Sequence, residues 1–167
     1  MLRKQVGKMF SPSPVSSESQ ARSLDIAAIA TVYVTSEEAS APIEHAFDEQ
    51  RGPGGSRWLA SEPGEQTLLL AFDTPQRIRQ VSLEIEETAV SRTQELQLAV
   101  SHDGGQSYRE LRRQDYTFSP PGTTFEREDW VVRVDGVTHL RLWLQPDKGG
   151  QPCRATLTAL IIEPAAP

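Results

Sequence analysis

Val81-Ser82-Leu83-Glu84-Ile85-Glu86 alternates an apolar with a polar residue at every step. In an extended chain successive side chains point to opposite faces, so this stretch gives one apolar side and one polar side. Ile78, Val81, Ser82 and Ile85 also fit one face of a helix, but Val81, Leu83 and Ile85 place the larger apolar load at period two. The strand reading therefore wins. The same alternation recurs in Leu96-Gln97-Leu98-Ala99-Val100-Ser101. Working outward, Ile29 to Thr35 is rich in β-branched residues, and Leu68 to Phe72 is a short apolar run ended by Asp73-Thr74-Pro75. Val131 to Val134, Leu140 to Leu144 and Leu157 to Ile162 complete the set. Short strands separated by turn residues predict a sandwich or barrel. Ser40-Ala41-Pro42-Ile43-Glu44-His45-Ala46 predicts one helical turn, with Ser40 as cap candidate and Pro42 near the first turn. No 10–15-residue helices alternate with the strands, which disfavours a doubly wound α/β fold.

The chain has 167 residues, enough for one domain with a single core. Seventeen Lys and Arg face 23 Asp and Glu, a formal charge of -6. That balance argues against a general nucleic-acid surface and against an anionic membrane. No apolar run approaches the ~18 residues of a membrane span. Met1 to Phe10 is basic, but no apolar stretch follows it, so no secretory signal is read. Cys153 is the only cysteine, which fits a reducing compartment; the expected location is cytoplasmic.

Residues 1–21 read as an N-terminal arm, residues 22–164 as the domain and 165–167 as a short tail. Ser11-Pro12-Ser13-Pro14 sustains neither a helix nor a ladder, because proline lacks the N–H donor and restricts its neighbour. Leu2, Val6, Met9 and Phe10 fit one face of a short helix flanked by Arg3, Lys4 and Lys8. Two readings stand for this arm: a disordered terminus, or a segment that docks on an acidic face or a partner.

Three segments carry a family resemblance. The first is Ala46-Phe47-Asp48 with Ser56-Arg57-Trp58. The second is Val100 to Tyr108, with Asp103-Gly104-Gly105 at its turn. The third is Val137-Thr138-His139-Leu140-Arg141-Leu142, with the closing Leu157 to Ile162. In this order they resemble the discoidin, or coagulation-factor type C, family of galactose-binding-like jelly rolls, over residues 24–164. The resemblance implies an all-β jelly-roll β-sandwich, mostly antiparallel, with at most one or two short helical turns. It also implies a calcium site after Phe47, where Asp48 matches the carboxylate position and Ala159 stands where family members often carry a glutamate. Calcium takes six to eight oxygens, so one matched carboxylate predicts no tight site. The alternative is that Asp48 caps its own turn.

Ser101-x-Asp103-x-Gly105-x-Ser107-Tyr108 also looks like the Asp-box of sialidase-type propellers. One copy makes no propeller, so it reads as a hairpin device. Leu140, Leu142 and Leu144 alternate inward and put Arg141 and Trp143 on the opposite face. Trp143 then lies under a loop or is an exposed contact.

No catalytic pattern emerges. His45, His102 and His139 form no metal-spaced pair, Cys153 has no Cys-x-x-Cys partner, and neither Gly-x-Ser-x-Gly nor Gly-x-Gly-x-x-Gly occurs. The expected activity is therefore non-catalytic binding, with no cofactor. Residues 112–130 gather aromatics and arginines around Pro120-Pro121-Gly122. Sugar recognition takes an aromatic plate and polar groups for the hydroxyls. Arg113, Tyr116, Arg127 and Trp130 are the candidate ligand-binding residues, expected on loops at one end of the sandwich. The competing reading is that Tyr116, Phe118, Phe125 and Trp130 fill the core. The expected partner is a carbohydrate; the alternative is an intracellular protein-interaction module on the same scaffold with no sugar site.

Overall fold

The structure is a computed structural model and describes residues 2–6 and 23–166. Its strands are β1 (Arg3–Val6), β2 (Ala30–Val34), β3 (Trp58–Leu59), β4 (Gln66–Glu86), β5 (Arg92–Ser101), β6 (Arg109–Phe118), β7 (Phe125–Gln145), β8 (Thr156–Leu157) and β9 (Ala159–Pro164). A four-residue helix, α1 (Ile26–Ile29), precedes β2, and a 3-10 turn covers Ile43–Phe47.

β4 and β7 form the frame. Each runs 21 residues, far longer than the usual ~5–6, because each bends from one layer into the other. They pair antiparallel throughout, from Gln66 opposite Leu144 to Glu86 opposite Phe125. The register slips between Ala71 and Gln80, and there the buried set changes parity. Leu68, Leu70 and Phe72 point inward before the corner; Val81, Leu83 and Ile85 do so after it. An irregularity that adds or skips a residue turns the side-chain alternation over, which lets one strand face the core in both layers. The stretches read separately as Leu68 to Phe72 and Val81 to Glu86 are thus two halves of one strand, continuous through Asp73-Thr74-Pro75.

The larger layer has the order β1-β2-β4-β7-β5-β6, using the first half of β4 and the second half of β7. The smaller layer places the second half of β4 between β7 and β9. Among the described residues only β1 and β2 pair in parallel. Both layers feed one apolar cluster that includes Leu68, Leu83, Leu98, Phe118, Trp130, Leu142 and Leu160. Each such side chain removed from water contributes roughly 1.5–3 kcal/mol. This is the jelly-roll sandwich expected from the sequence.

Several local expectations hold. Trp58, in the first resemblance segment, is fully buried and its indole N–H donates to Ser36 O at 3.0 Å, so it anchors β3. The Ser101–Asp103 device works as a hairpin lock. Ser101 Oγ donates to Asp103 at 2.7 Å, and the amides of Gln106 and Ser107 donate to Asp103 Oδ1 at 3.1 and 2.9 Å. Hydrogen bonds from Ser107 and Ser101 hold the Asp103 carboxyl well below the usual range.

Other expectations are corrected. Arg3–Val6 is not a free arm: it is the edge strand of the larger layer, and Leu2 is buried. A strand also replaces the helical face read through Leu2 and Val6; the part of that reading on Met9 and Phe10, like the Ser-Pro stretch, lies outside the described residues. Lys4 explains the docking. Its ammonium donates to Glu37 at 2.8 Å and to Glu44 at 2.6 Å. Ser40 does not cap the 3-10 turn; Glu37 does so by accepting from Ile43 N at 2.9 Å. Leu157 to Ile162 is divided at Thr158, whose N–H turns aside to Glu84 O at 2.8 Å.

Candidate functional site

The four candidate ligand residues do not converge. Trp130 is 6% exposed and faces Val81 inside the smaller layer. Tyr116 packs at 4.9 Å from the Phe118 ring, and its hydroxyl donates to Phe125 O at 2.8 Å. Both aromatics serve the core. Arg113 stands exposed on the outer side of the larger layer, ion-paired to Glu95 and Glu110. Arg127 stands on the smaller layer, bridging Asp129 and the buried Glu84. Hydrogen bonds to Asp129, opposed by burial, leave the Arg127 guanidinium held more firmly protonated than usual. Nor is the segment a loop: β6 and β7 occupy all of it except residues 119–124.

Asp48 caps its turn. It accepts from Gln50 N at 3.0 Å and from the Ser56 hydroxyl. Ala159 lies opposite Glu84 in the β4–β9 pairing. Among the described residues no group of three or more His, Cys, Asp or Glu side chains is placed to hold a metal ion.

A different constellation lies on the outer face of the larger layer. Thr67, Trp143, Gln97 and Arg113 stand directly opposite one another across β4, β7, β5 and β6. Cross-strand partners share a face, so these four make one continuous row. The adjoining row carries Leu69, Arg141 and Ala99. Thr67, Gln97, Arg141 and Trp143 line a hollow of about 260 Å³. Trp143 is half-buried, and its Nε1–H donates to Glu65 at 3.1 Å, which fixes the indole in place. The Gln97 amide carbonyl accepts from the Arg113 guanidinium. The Arg141 guanidinium carbon lies 4.1 Å from the Tyr108 ring centre, a cation–π contact. Burial pushes the Tyr108 phenol up, with the Arg141 charge acting the other way.

The inward alternation of Leu140, Leu142 and Leu144 had already put Arg141 and Trp143 on this face, and the structure makes Trp143 a partly exposed contact. What sequence reasoning missed is that Thr67 and Gln97 flank it. That neighbourhood depends on register across three strands, which a single sequence does not display. A rigid indole beside a guanidinium, an amide and a hydroxyl can present a flat apolar surface and directional polar groups to one bound molecule.

No protein-family model matches the sequence, and a search of curated proteins finds no match. Among solved structures, the chain is similar to CBM32-3 from a family 31 glycoside hydrolase of Clostridium perfringens. The TM-score is 0.60 at 13% identity, over 86% of this chain and 95% of that one. It is likewise similar to the family 32 carbohydrate-binding module of C. perfringens NanJ, solved in complex with galactose. There the TM-score is 0.59 at 12% identity, over 84% and 97% of the two chains. A third is CpGH89CBM32-5 from C. perfringens in complex with GalNAc-β-1,3-galactose, at TM-score 0.55 and 16% identity, over 80% and 94%. These matches show the fold: a jelly-roll sandwich of the kind these carbohydrate-binding modules have.

Proposed function

We propose that the chain is a non-catalytic carbohydrate-binding module that takes its glycan on the outer face of the larger sheet. The observation that carries this is the hollow itself, with Trp143 held half-exposed between Thr67 and Gln97 and next to Arg141. An indole offers its face to the C–H side of a sugar ring, while the flanking groups hydrogen-bond its hydroxyls. The support rigidifies these groups before any ligand arrives, because all of them stand on paired strands. The likeness of the fold to sugar-binding modules supports the same reading. The sheet face is preferred here to the loop-end location read from the sequence, because Trp130 is buried and Tyr116 packs half-buried against the core.

The test is a glycan array followed by calorimetry on wild type, Trp143→Ala and Arg127→Ala. The expected result is a sugar ligand whose binding Trp143→Ala abolishes and Arg127→Ala, on the other layer, leaves unchanged. An empty array together with a protein captured by pull-down would replace this reading with the protein-interaction one.

A further inference from the structure

The chemistry of the hollow selects among sugars. Its lining contains a guanidinium, an amide, a hydroxyl and an indole, and no carboxylate. The nearby charges are not equivalent. Arg113, across Gln97 from Trp143, is neutralised by Glu95 and Glu110. Hydrogen bonds to those two carboxylates hold its guanidinium still more firmly protonated than usual. Lys148, farther along, is held by Asp115. Glu65, at the rim, is engaged by the Trp143 indole N–H. Arg141 differs from all of these. Half-buried on the wall of the hollow, its guanidinium meets the Tyr108 ring and has neither a hydrogen bond nor an ion pair within the described residues.

The cation–π contact with the Tyr108 ring takes up none of the guanidinium's N–H donors as hydrogen bonds. The N–H edge remains available, and that edge is the part that grips a carboxylate through two parallel hydrogen bonds. The contact with the ring also restrains the end of the side chain, so less freedom is lost when an anion arrives. We infer that this hollow binds a sugar bearing a carboxylate, a uronic-acid-type glycan. Its ring lies on Trp143 and its carboxylate is held by the Arg141 guanidinium. The inference rests on the carbohydrate reading above and adds the substrate class and the residue that selects it.

The test compares galacturonic acid trimers with their methyl esters, which keep ring and hydroxyls but lose the charge. Calorimetry is run on wild type, Arg141→Gln and Arg141→Lys, with thermal unfolding as a fold control. The acid should bind about 10- to 100-fold tighter than the ester, the worth of one charge-assisted contact. Arg141→Gln should bring acid binding down to the level of the ester, with thermal stability nearly unchanged. Arg141→Lys should restore it in part, because a point charge replaces the fork. Equal binding of acid and ester would overturn the inference and leave the carbohydrate reading intact. A preference for the acid that survives in Arg141→Gln would also overturn it, by placing the selecting charge elsewhere. If neither trimer binds while the glycan array reports a neutral sugar, the substrate class is wrong; if the array is empty too, the carbohydrate reading fails with it.

Discussion

Glu126 stands directly opposite Ile85 in the β4–β7 pairing, 1% exposed, with neither carboxylate oxygen hydrogen-bonded. Burial, with the like charge of Glu128, pushes its carboxyl up to about 8, against the pull of Arg92. Arg92 is itself buried. It donates to Glu87 at 2.8 Å and to Pro146 O at 2.7 Å, and its Nη2 is left without a partner. Between the ordinary value of 4.5 and about 8, the folded chain keeps the Glu126 proton and the unfolded chain releases it. Stability therefore falls as pH rises through that window and is complete below it. The loss by about pH 7 is on the order of 3 kcal/mol. Urea unfolding across this range should show the decline, and Glu126→Gln should flatten it. A stability that instead rises with pH would mean that Arg92 holds Glu126 ionised.

The second prediction concerns β1. Lys4 is mostly buried, as is Glu37, with Glu44 beside them. Burial acts to lower the Lys4 ammonium, but hydrogen bonds to Glu37 and Glu44 outweigh it and hold the group protonated. Removing one partner of a buried cluster leaves the others uncompensated, at a cost of roughly 3–5 kcal/mol for a fully buried pair. This cluster is partly open, so Lys4→Met should cost about 2 kcal/mol. Deleting residues 1–6 should cost at least as much yet leave one cooperative transition, because the sandwich core lies almost wholly in the strands from β2 onward. A truncated chain that melts without cooperativity would show that β1 is indispensable to the sheet.

The sandwich was legible because its inner faces obey period two: Leu68 and Leu70, Leu83 and Ile85, Leu96 and Leu98, Leu140 and Leu142 are all fully buried. The corner in β4 was not, since nothing in Asp73-Thr74-Pro75 signals a strand that continues with its parity reversed. β6 read as part of a binding loop because Arg112, Arg113, Tyr116 and Phe118 lead into Pro120-Pro121-Gly122, although Arg109, Glu110 and Asp115 add further charges to it. Those charges mark an edge strand, where they discourage pairing with another sheet. β7 misled in another way. Glu126, Glu128 and Trp130 share one parity, so an acid-rich pattern concealed the face that turns inward. Hence the sequence left Trp130 between a ligand plate and a core residue, and it is the core residue, whereas the regularly spaced leucines around Trp143 put it on the outer face.

A third prediction is that calcium does not stabilise the chain. Asp48 accepts from Gln50 N and Ser56, and Ala159 offers no oxygen from its side chain. A site with a dissociation constant near 10⁻⁵ M would add about 2.7 kcal/mol at about 1 mM calcium. Differential scanning calorimetry with calcium and then with a chelator should show no difference. A rise of several degrees with calcium, reversed by the chelator, would mean that backbone carbonyls of the loop complete a site around Asp48.

The last prediction separates Trp130, buried in the core, from Trp143 on the outer face. Trp130 fills the space between β7 and the Val81 side of β4 and belongs to the main apolar cluster. Its truncation leaves a cavity that close-packed neighbours relax into only in part, and large-to-small changes of this kind cost about 3–5 kcal/mol. Trp143 stands on the outer face, held by one hydrogen bond to Glu65 and touching the hollow. Its truncation removes a surface plate and opens no internal void, so about 1 kcal/mol or less is expected from the lost contact. Thermal unfolding and sugar titration of the two alanine variants should therefore split cleanly. Trp130→Ala should lose stability and, below its melting temperature, still bind. Trp143→Ala should keep its stability and lose the sugar. If Trp143→Ala binds as wild type does, the sheet face is not the site. If Trp143→Ala is instead the variant that unfolds, the row from Thr67 to Arg113 serves to brace the larger sheet.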